Sequence, residues 1–260
     1  MPLRTLSLEK RGPIAHLELR RLEKQNAIGG RTLQELAEAC EAIAGDEEVR
    51  VVVLSGGAGP AFSRGWDWEA LAGEDPLLAA RALGLPGDPF GCLAEMPRPV
   101  LCALNGDAFS AGLELALACD VRIAAEGARL GLPETAMGIL PLAGGTQRLA
   151  RLVGRAKALE MILTAEPIEA QEALCIGLVS AVTPQERLMA EAEAIAGRLA
   201  ERGPLAVQYA KEAIRRGLEM PLEQALRYET DLAIILQTTE DRAEGVRAFL
   251  EKRPPQFRGR

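Results

Sequence analysis

Histidine is almost missing from this chain. His16 is the only one among 260 residues, so a Ser–His–Asp triad or a histidine-built zinc site has no material to work with. In IAHLELR the alternation puts His16, Glu18 and Arg20 on one strand face, where His16 reads as a solvated or locally satisfied residue. Cysteine is no better placed for metal chemistry. Cys40, Cys92, Cys102, Cys119 and Cys175 are odd in number and show no CxxC spacing. This pattern predicts no metal site and a reducing, cytoplasmic setting in which the thiols serve as small hydrophobes. Aromatic residues make up only 3% and the net charge is −7, which argues against nucleic-acid partners and against anionic lipid. No apolar run reaches membrane-spanning length, and the opening MPLRTLSLEKRGP lacks the apolar core of a signal peptide. Phosphate loops fail as well. No Gly-Lys pair exists, and in SGGAGPAFSRG the third glycine of a dinucleotide fingerprint falls on Phe62. The chemistry must rest on carboxylates, backbone dipoles or a cofactor.

What is present is an alternation of strands and helices. Residues 3–9 and 14–20 read as paired strands around the turn KRGP. RTLQELAEACEAIA at 31–44 sets Leu33, Leu36, Ala37, Cys40 and Ile43 on one helical face. The apolar runs at 49–55, 99–105 and 121–126 predict a buried, largely parallel sheet. Residues 72–98, rich in scattered Gly and Pro, read as an irregular, mobile segment around a short helix, of the kind that shapes pockets. From about 144 the pattern turns helical. A composition change near 185 divides the chain into a core, 1–185, and a C-terminal helical region, 186–260.

Two carboxylates stand out. NGDAFSAGLELALACD places Glu114 in a helix apolar on all sides, where a buried charge needs a partner or a purpose. One bland account has Ser110 capping a helix whose first turn holds Glu114, favoured there by the helix dipole. Glu134 follows Pro133 in LGLPETAMGILP, and its bland account is a loop residue stabilised by nearby amides. The 20-residue spacing leaves room for a helix, a strand and a return loop, so both can open onto one cavity. Two facing carboxylates can hold a water and trade protons when histidine is unavailable. Ser110-Ala111-Gly112 opens the helix and leaves the Ala111 N–H an orphan donor. The Gly65-Trp66-Asp67 turn can supply a second N–H, and two such donors aimed at one point form an oxyanion hole.

These segments resemble the enoyl-CoA hydratase/isomerase (crotonase) superfamily. NGDAFSAGLELALACD with GLPETAMGILPLAGGTQRLARLVG is the most specific block, and AFSRGWD is similar to the first oxyanion segment of the family. RLEKQNAI resembles its early coenzyme A-contacting segment and GVRAFLEKRPPQF its C-terminal helix and tail, so the likeness spans essentially the whole chain. It implies an α/β, crotonase-like fold of repeated βαβ units in two roughly perpendicular sheets, with C-terminal helices building a homotrimer or a dimer of trimers. The substrate implied is an acyl-CoA thioester, coenzyme A being part of it, with no separate cofactor. The thioester oxygen would sit between the N–H groups of Trp66 and Ala111. Glu114 would help orient and deprotonate water for attack at C3, and Glu134 would exchange a proton at C2. Substrate- and CoA-binding residues implied by the match are Lys24, Asn26, Ala27, Arg64, Trp66, Asp67, Trp68, Gly112 and Lys252.

The departures from the family pattern are specific. Trp66 stands where a small residue is common, and its bulk, with Trp68, is expected to reshape the acyl pocket or the mouth of the CoA site. Ala111 replaces a frequent glycine and keeps the donor. Arg64 meets either a phosphate or solvent, and Lys252 and Arg253 are candidates for the 3′-phosphate of CoA or simply a charged helix end. Asp107 has no account from sequence. The expected activity is enoyl-CoA hydration. A Δ3,Δ2-enoyl-CoA isomerase, needing Glu134 alone, and a non-catalytic acyl-CoA-binding subunit are the alternatives.

Overall fold

The computed structural model describes residues 3–71 and 88–260. Most of the irregular segment expected over 72–98 therefore lies outside the described residues.

Strands β1 (Leu6–Arg11) and β2 (Ile14–Leu19) pair antiparallel through Gly12-Pro13, with Gly12 at a φ of +59° that a side chain would strain. From β2 the sheet continues in parallel through β3 (Val51–Ser55), β5 (Val100–Leu104), β7 (Val121–Ala125) and β10 (Ala181–Thr183). β3 and β5 are buried along their whole length, which explains their unbroken apolar runs. One face, with Val52, Leu54, Val100, Cys102 and Leu104, joins the main core with Leu33, Leu36, Cys40 and Ile43 of α1 (Gly30–Ala44). The opposite face, with Val51, Val53, Leu101, Ala103 and Ile123, is covered by Leu188, Ala192, Ala196 and Ala200 of α8 (Leu188–Ala200), a stripe at a spacing of four. The first helix beyond residue 185 is thus part of the sheet's packing.

The second sheet, implied by the family resemblance, is invisible in the residue pattern. Its strands, β4 (Ala61–Ser63), β6 (Asp107–Phe109), β8 (Arg129–Gly131) and β9 (Ile168–Glu169), hold two or three residues each, too few for any period to show. Each of the first three follows a strand of the large sheet: β3 leads to β4, β5 to β6, β7 to β8. Asp107 gains its account here. It takes Arg129 Nη2 at 2.5 Å and the Arg129 N–H at 2.9 Å, tying β6 to its parallel neighbour β8.

Helices complete the chain. α2 (Trp68–Leu71) follows the Gly65 turn; α3 (Pro89–Glu95) is capped by Asp88, which accepts from the Phe90 and Gly91 N–H groups. α4 (Ala111–Leu117), α5 (Gly145–Val153), α6 (Arg155–Thr164) and α7 (Ala170–Cys175) belong to the core. α9 (Pro204–Gly217), α10 (Leu222–Gln237) and α11 (Glu240–Glu251) follow, with Leu218, Leu222, Phe249 and Leu250 exposed. Among the described residues, no helix is long and apolar enough to cross a membrane.

Candidate active site

Three strand ends of the small sheet deliver three turns. β4 leads into Gly65-Trp66, β6 into Ser110-Ala111, and β8 into the 3-10 turn Pro133–Met137 that carries Glu134. Trp66 forms a parallel bridge with Ile28: the Ile28 N–H donates to Gly65 O at 2.7 Å and the Asp67 N–H to Ile28 O at 2.8 Å. In such a bridge the N–H of the central residue points away from the partner strand. Among the described residues no acceptor meets the Trp66 N–H. Ala111 is the first residue of α4, and its N–H likewise has no acceptor among the described residues. Ser110 does not cap that helix. At φ +54° its side chain makes no cap hydrogen bond; its N–H donates to Gly131 O at 3.0 Å and its carbonyl accepts from the Glu114 N–H at 3.0 Å. The two turns touch, because a Cβ at Gly65 would overlap Ser110 Cβ and stand 2.8 Å from the Phe109 carbonyl oxygen. Two free donors on adjoining turns can stabilise one developing oxyanion.

Glu114 and Glu134 are both fully buried. Glu114 Oε1 accepts from the Ala143 N–H at 2.7 Å and the Gly145 N–H at 2.8 Å, while Oε2 has no donor among the described residues. The carboxylate of α4 thereby caps α5, whose N-terminus favours negative charge. Gly145 is required for this approach: a Cβ there would lie 2.9 Å from Glu114 Oε1. Burial pushes the Glu114 carboxyl up to about 7; the Gly145 and Ala143 N–H groups pull against it, and the nearby Glu134 adds to it. Burial also raises Glu134, and the neighbouring Ser110 hydroxyl favours its charged form without reaching a hydrogen bond of good geometry. Among the described residues, neither Glu134 oxygen has a protein donor. Two neighbouring carboxyl groups whose burial raises both can divide one proton between them.

The residues expected to meet substrate fall into two groups. Gly112 lies against β4, where a Cβ would be 2.7 Å from Ser63 Cβ, so glycine lets α4 approach the strand. The Trp66 ring is 1% exposed and packs in the core, 6.2 Å from the Phe90 ring, so its bulk goes into the core rather than across the mouth of a pocket. Trp68 is half-buried against the same core. Asp67 is tied to Arg21 Nη2 at 2.8 Å and Lys24 Nζ at 3.4 Å. Burial pushes the Asp67 carboxyl up, but hydrogen bonds from Arg21, Ala70 and Lys24 outweigh it and hold it below the usual range. Lys24 also pairs with Glu69 at 3.0 Å. Arg64 is exposed and has no ion pair among the described residues.

Asn26 is engaged entirely inside the protein. Its amide donates to Gly56 O (2.8 Å) and Phe62 O (3.0 Å), its Oδ1 accepts from the Arg21 N–H, and its own carbonyl accepts from Ser63 Oγ. Its side chain sets the turn before Trp66 rather than facing a ligand. Ala27 is buried and its carbonyl takes Arg21 Nη1 at 2.8 Å. Lys252 ends α11 exposed in the left-handed region, and among the described residues no carboxylate pairs with it. Arg253 is held by Glu244 at 2.6 and 2.9 Å. Sequence reasoning missed Arg21 and Gly145, whose signal is visible only once Asp67 and Glu114 have partners. Among the described residues there is no cluster of three or more metal-ligating side chains.

Comparison with known proteins places the chain in a family. The sequence pattern of the family described as enoyl-CoA hydratase/isomerase matches residues 9–260. A 2,3-dehydroadipyl-CoA hydratase of Escherichia coli (strain K12) is 43% identical over 244 residues, 94% of either chain. A short-chain-enoyl-CoA hydratase of Clostridium acetobutylicum is 39% identical over 254 residues, 97% of either chain. The crystal structure of an enoyl-CoA hydratase from Bacillus anthracis superposes with a TM-score of 0.95 at 39% identity, covering 99% of this chain and 100% of that one. With its whole length matched and the crotonase fold shared, this chain belongs to the enoyl-CoA hydratase/isomerase family.

Proposed function

We propose that this protein is an enoyl-CoA hydratase, adding water reversibly across the C2=C3 bond of a trans-2-enoyl-CoA thioester. The observation that carries the reading is the pair of buried carboxylates, Glu114 and Glu134, with free oxygens beside two unpartnered backbone donors. The thioester oxygen binds between the Trp66 and Ala111 N–H groups, which withdraw electrons and make C3 electrophilic. Ionised Glu114 takes a proton through Oε2 as the water oxygen bonds to C3. Protonated Glu134 delivers its proton to C2 as the enolate collapses. The proton on Glu114 then returns to Glu134, so one water is consumed and both carboxyl groups are restored. Every group in these steps is a protein group, coenzyme A being part of the substrate.

Both carboxylates present favours hydration over Δ3,Δ2 isomerisation, which needs one proton shuttle. The curated relatives quoted above are named as hydratases. Arg64, the exposed cation nearest in sequence to the oxyanion turn, is the first choice for a CoA phosphate, with Lys24 and Lys252 next. The exposed apolar side chains of α9, α10 and α11 support an assembly, a homotrimer or a dimer of trimers, and the free thiols suit the cytoplasm. The test is loss of the conjugated enoyl thioester absorbance when the protein meets crotonyl-CoA. Loss that is abolished by Glu134→Gln and strongly reduced by Glu114→Gln supports hydration. Absorbance appearing instead from a 3-enoyl-CoA, with Glu114→Gln active, overturns it in favour of isomerase.

A further inference from the structure

Arg148 occupies a position that simple electrostatics disfavours. It is the fourth residue of α5, within the first turn, where a cation opposes the helix dipole. Its guanidinium turns back past its own helix and Nη1 donates to the Ala143 carbonyl at 2.7 Å. Gly144, at φ +95°, makes room for this reversal, since a Cβ there would stand 2.5 Å from Arg148 Nη1. The turn so clasped, Ala143-Gly144-Gly145, is the one whose two N–H groups hold Glu114 Oε1.

We propose that Arg148 is a positioning residue for Glu114: by clamping the Ala143 carbonyl it keeps the 143–145 turn trained on Oε1, leaving Oε2 turned toward the reacting water. This rests on the hydratase reading. Among the described residues, two charged side chains bear on Glu114. Glu134, from the Pro133–Met137 turn, raises its carboxyl, and Arg148, from α5, lowers it. Of the other charged groups on packed elements, Asp107 of β6 is neutralised by Arg129, and Arg151 of α5 pairs outward with Glu219; β4 carries none. Arg148 therefore both fixes the acceptor's partners and, among the described residues, supplies the cation that favours the ionised form of Glu114.

The experiment compares Arg148→Met, Arg148→Lys and wild type in the pH profile of kcat/KM for crotonyl-CoA. Removing the cation raises the Glu114 carboxyl, so the acid limb of Arg148→Met moves to higher pH, with a loss of about tenfold or more at pH 6 that shrinks by pH 8.5. Arg148→Lys keeps the charge and its limb stays near that of wild type. An Arg148→Met profile parallel to wild type at every pH, or a lysine variant shifted as far as methionine, overturns the proposal. Infrared titration of the Glu114 carboxyl, assigned by its loss in Glu114→Gln, reads the same shift without turnover and is repeated in Arg148→Lys should Arg148→Met not fold. An unshifted lysine variant then supports the proposal, and a shifted one overturns it. Because that titration needs no catalysis, absence of hydratase activity in wild type would overturn the functional reading while the Arg148 claim is still decided.

Discussion

Gly65 and Ser110 lie 45 residues apart in the chain, yet their turns are in contact, with no space for a methyl group between Gly65 and Ser110 Cβ. Each turn carries one free backbone donor, at Trp66 and at Ala111. The alignment of the two donors is thus set by a steric contact between two strand exits, and both residues are held at positive φ, +99° and +54°. Backbone held this way is strained for any side chain and persists only because the surroundings over-determine it.

Gly65→Ala tests that contact. Both the φ and the overlap forbid the methyl, so the turns must part. The expected result is a loss of about 2–4 kcal/mol in chemical denaturation. In the protein that still folds, kcat falls by about 100-fold or more, the order seen when one oxyanion donor is lost. Wild-type kcat in a folded Gly65→Ala protein would dissociate the Trp66 donor from the reaction.

Glu114→Gln separates stability from activity. The carboxyl titrates at about 7 when folded against an ordinary 4.5, so between these values the folded state binds more protons than the unfolded one. Stability from this site is therefore complete below pH 4.5 and falls as pH rises toward 7, by about 3 kcal/mol in total. Gln carries no charge to desolvate and its amide oxygen still accepts from Ala143 and Gly145. Glu114→Gln should melt higher than wild type at pH 8 and close to it at pH 4.5, while its hydration rate drops by orders of magnitude. Equal melting differences at both pH values would count against a buried, raised carboxyl.

Trp66 contributes its N–H through the backbone and its ring to the core. Trp66→Phe should keep most of kcat, since any side chain carries the donor. Trp66→Ala should lose about 3–5 kcal/mol through the cavity beside Phe90. Parallel thermal melts and crotonyl-CoA kinetics distinguish these effects. A large gain in KM for long acyl chains in Trp66→Phe, with unchanged melting, would instead place the ring at the substrate.

Asn26→Ala removes two backbone-directed donors and one acceptor from a buried junction. A destabilisation of about 1–3 kcal/mol is expected, with KM little changed in the folded protein. If Asn26 touched coenzyme A, KM would rise and the melting temperature would hold.

Much of the large sheet was legible from residue pattern. The runs at 49–55, 99–105 and 121–126 appear as β3, β5 and β7; β3 and β5 are buried along their whole length and stay almost wholly apolar, and in β7 the single charged residue, Arg122, is buried against backbone carbonyls. The helix at 31–44 appears as α1, its apolar stripe facing the sheet. The small sheet was not legible. A strand of two or three residues is defined by partners more than twenty residues away, as Leu130 is by Ala108 and Ile168.

The same division runs through the candidate site. The sequence alone determined that chemistry could not rest on histidine, a phosphate loop or a cysteine cluster, and its motifs singled out Glu114, Glu134, Trp66 and Ala111. Only the tertiary structure decided how they are held: Glu114 by the N-terminus of a helix that begins 31 residues later, Asp67 by Arg21, and the Trp66 ring in the core beside Phe90. The physical reason is one of range. Composition and motif are properties of a few neighbouring residues, whereas a hydrogen-bond partner for a buried carboxylate is whichever backbone the fold brings within 3 Å, and no local pattern encodes that meeting.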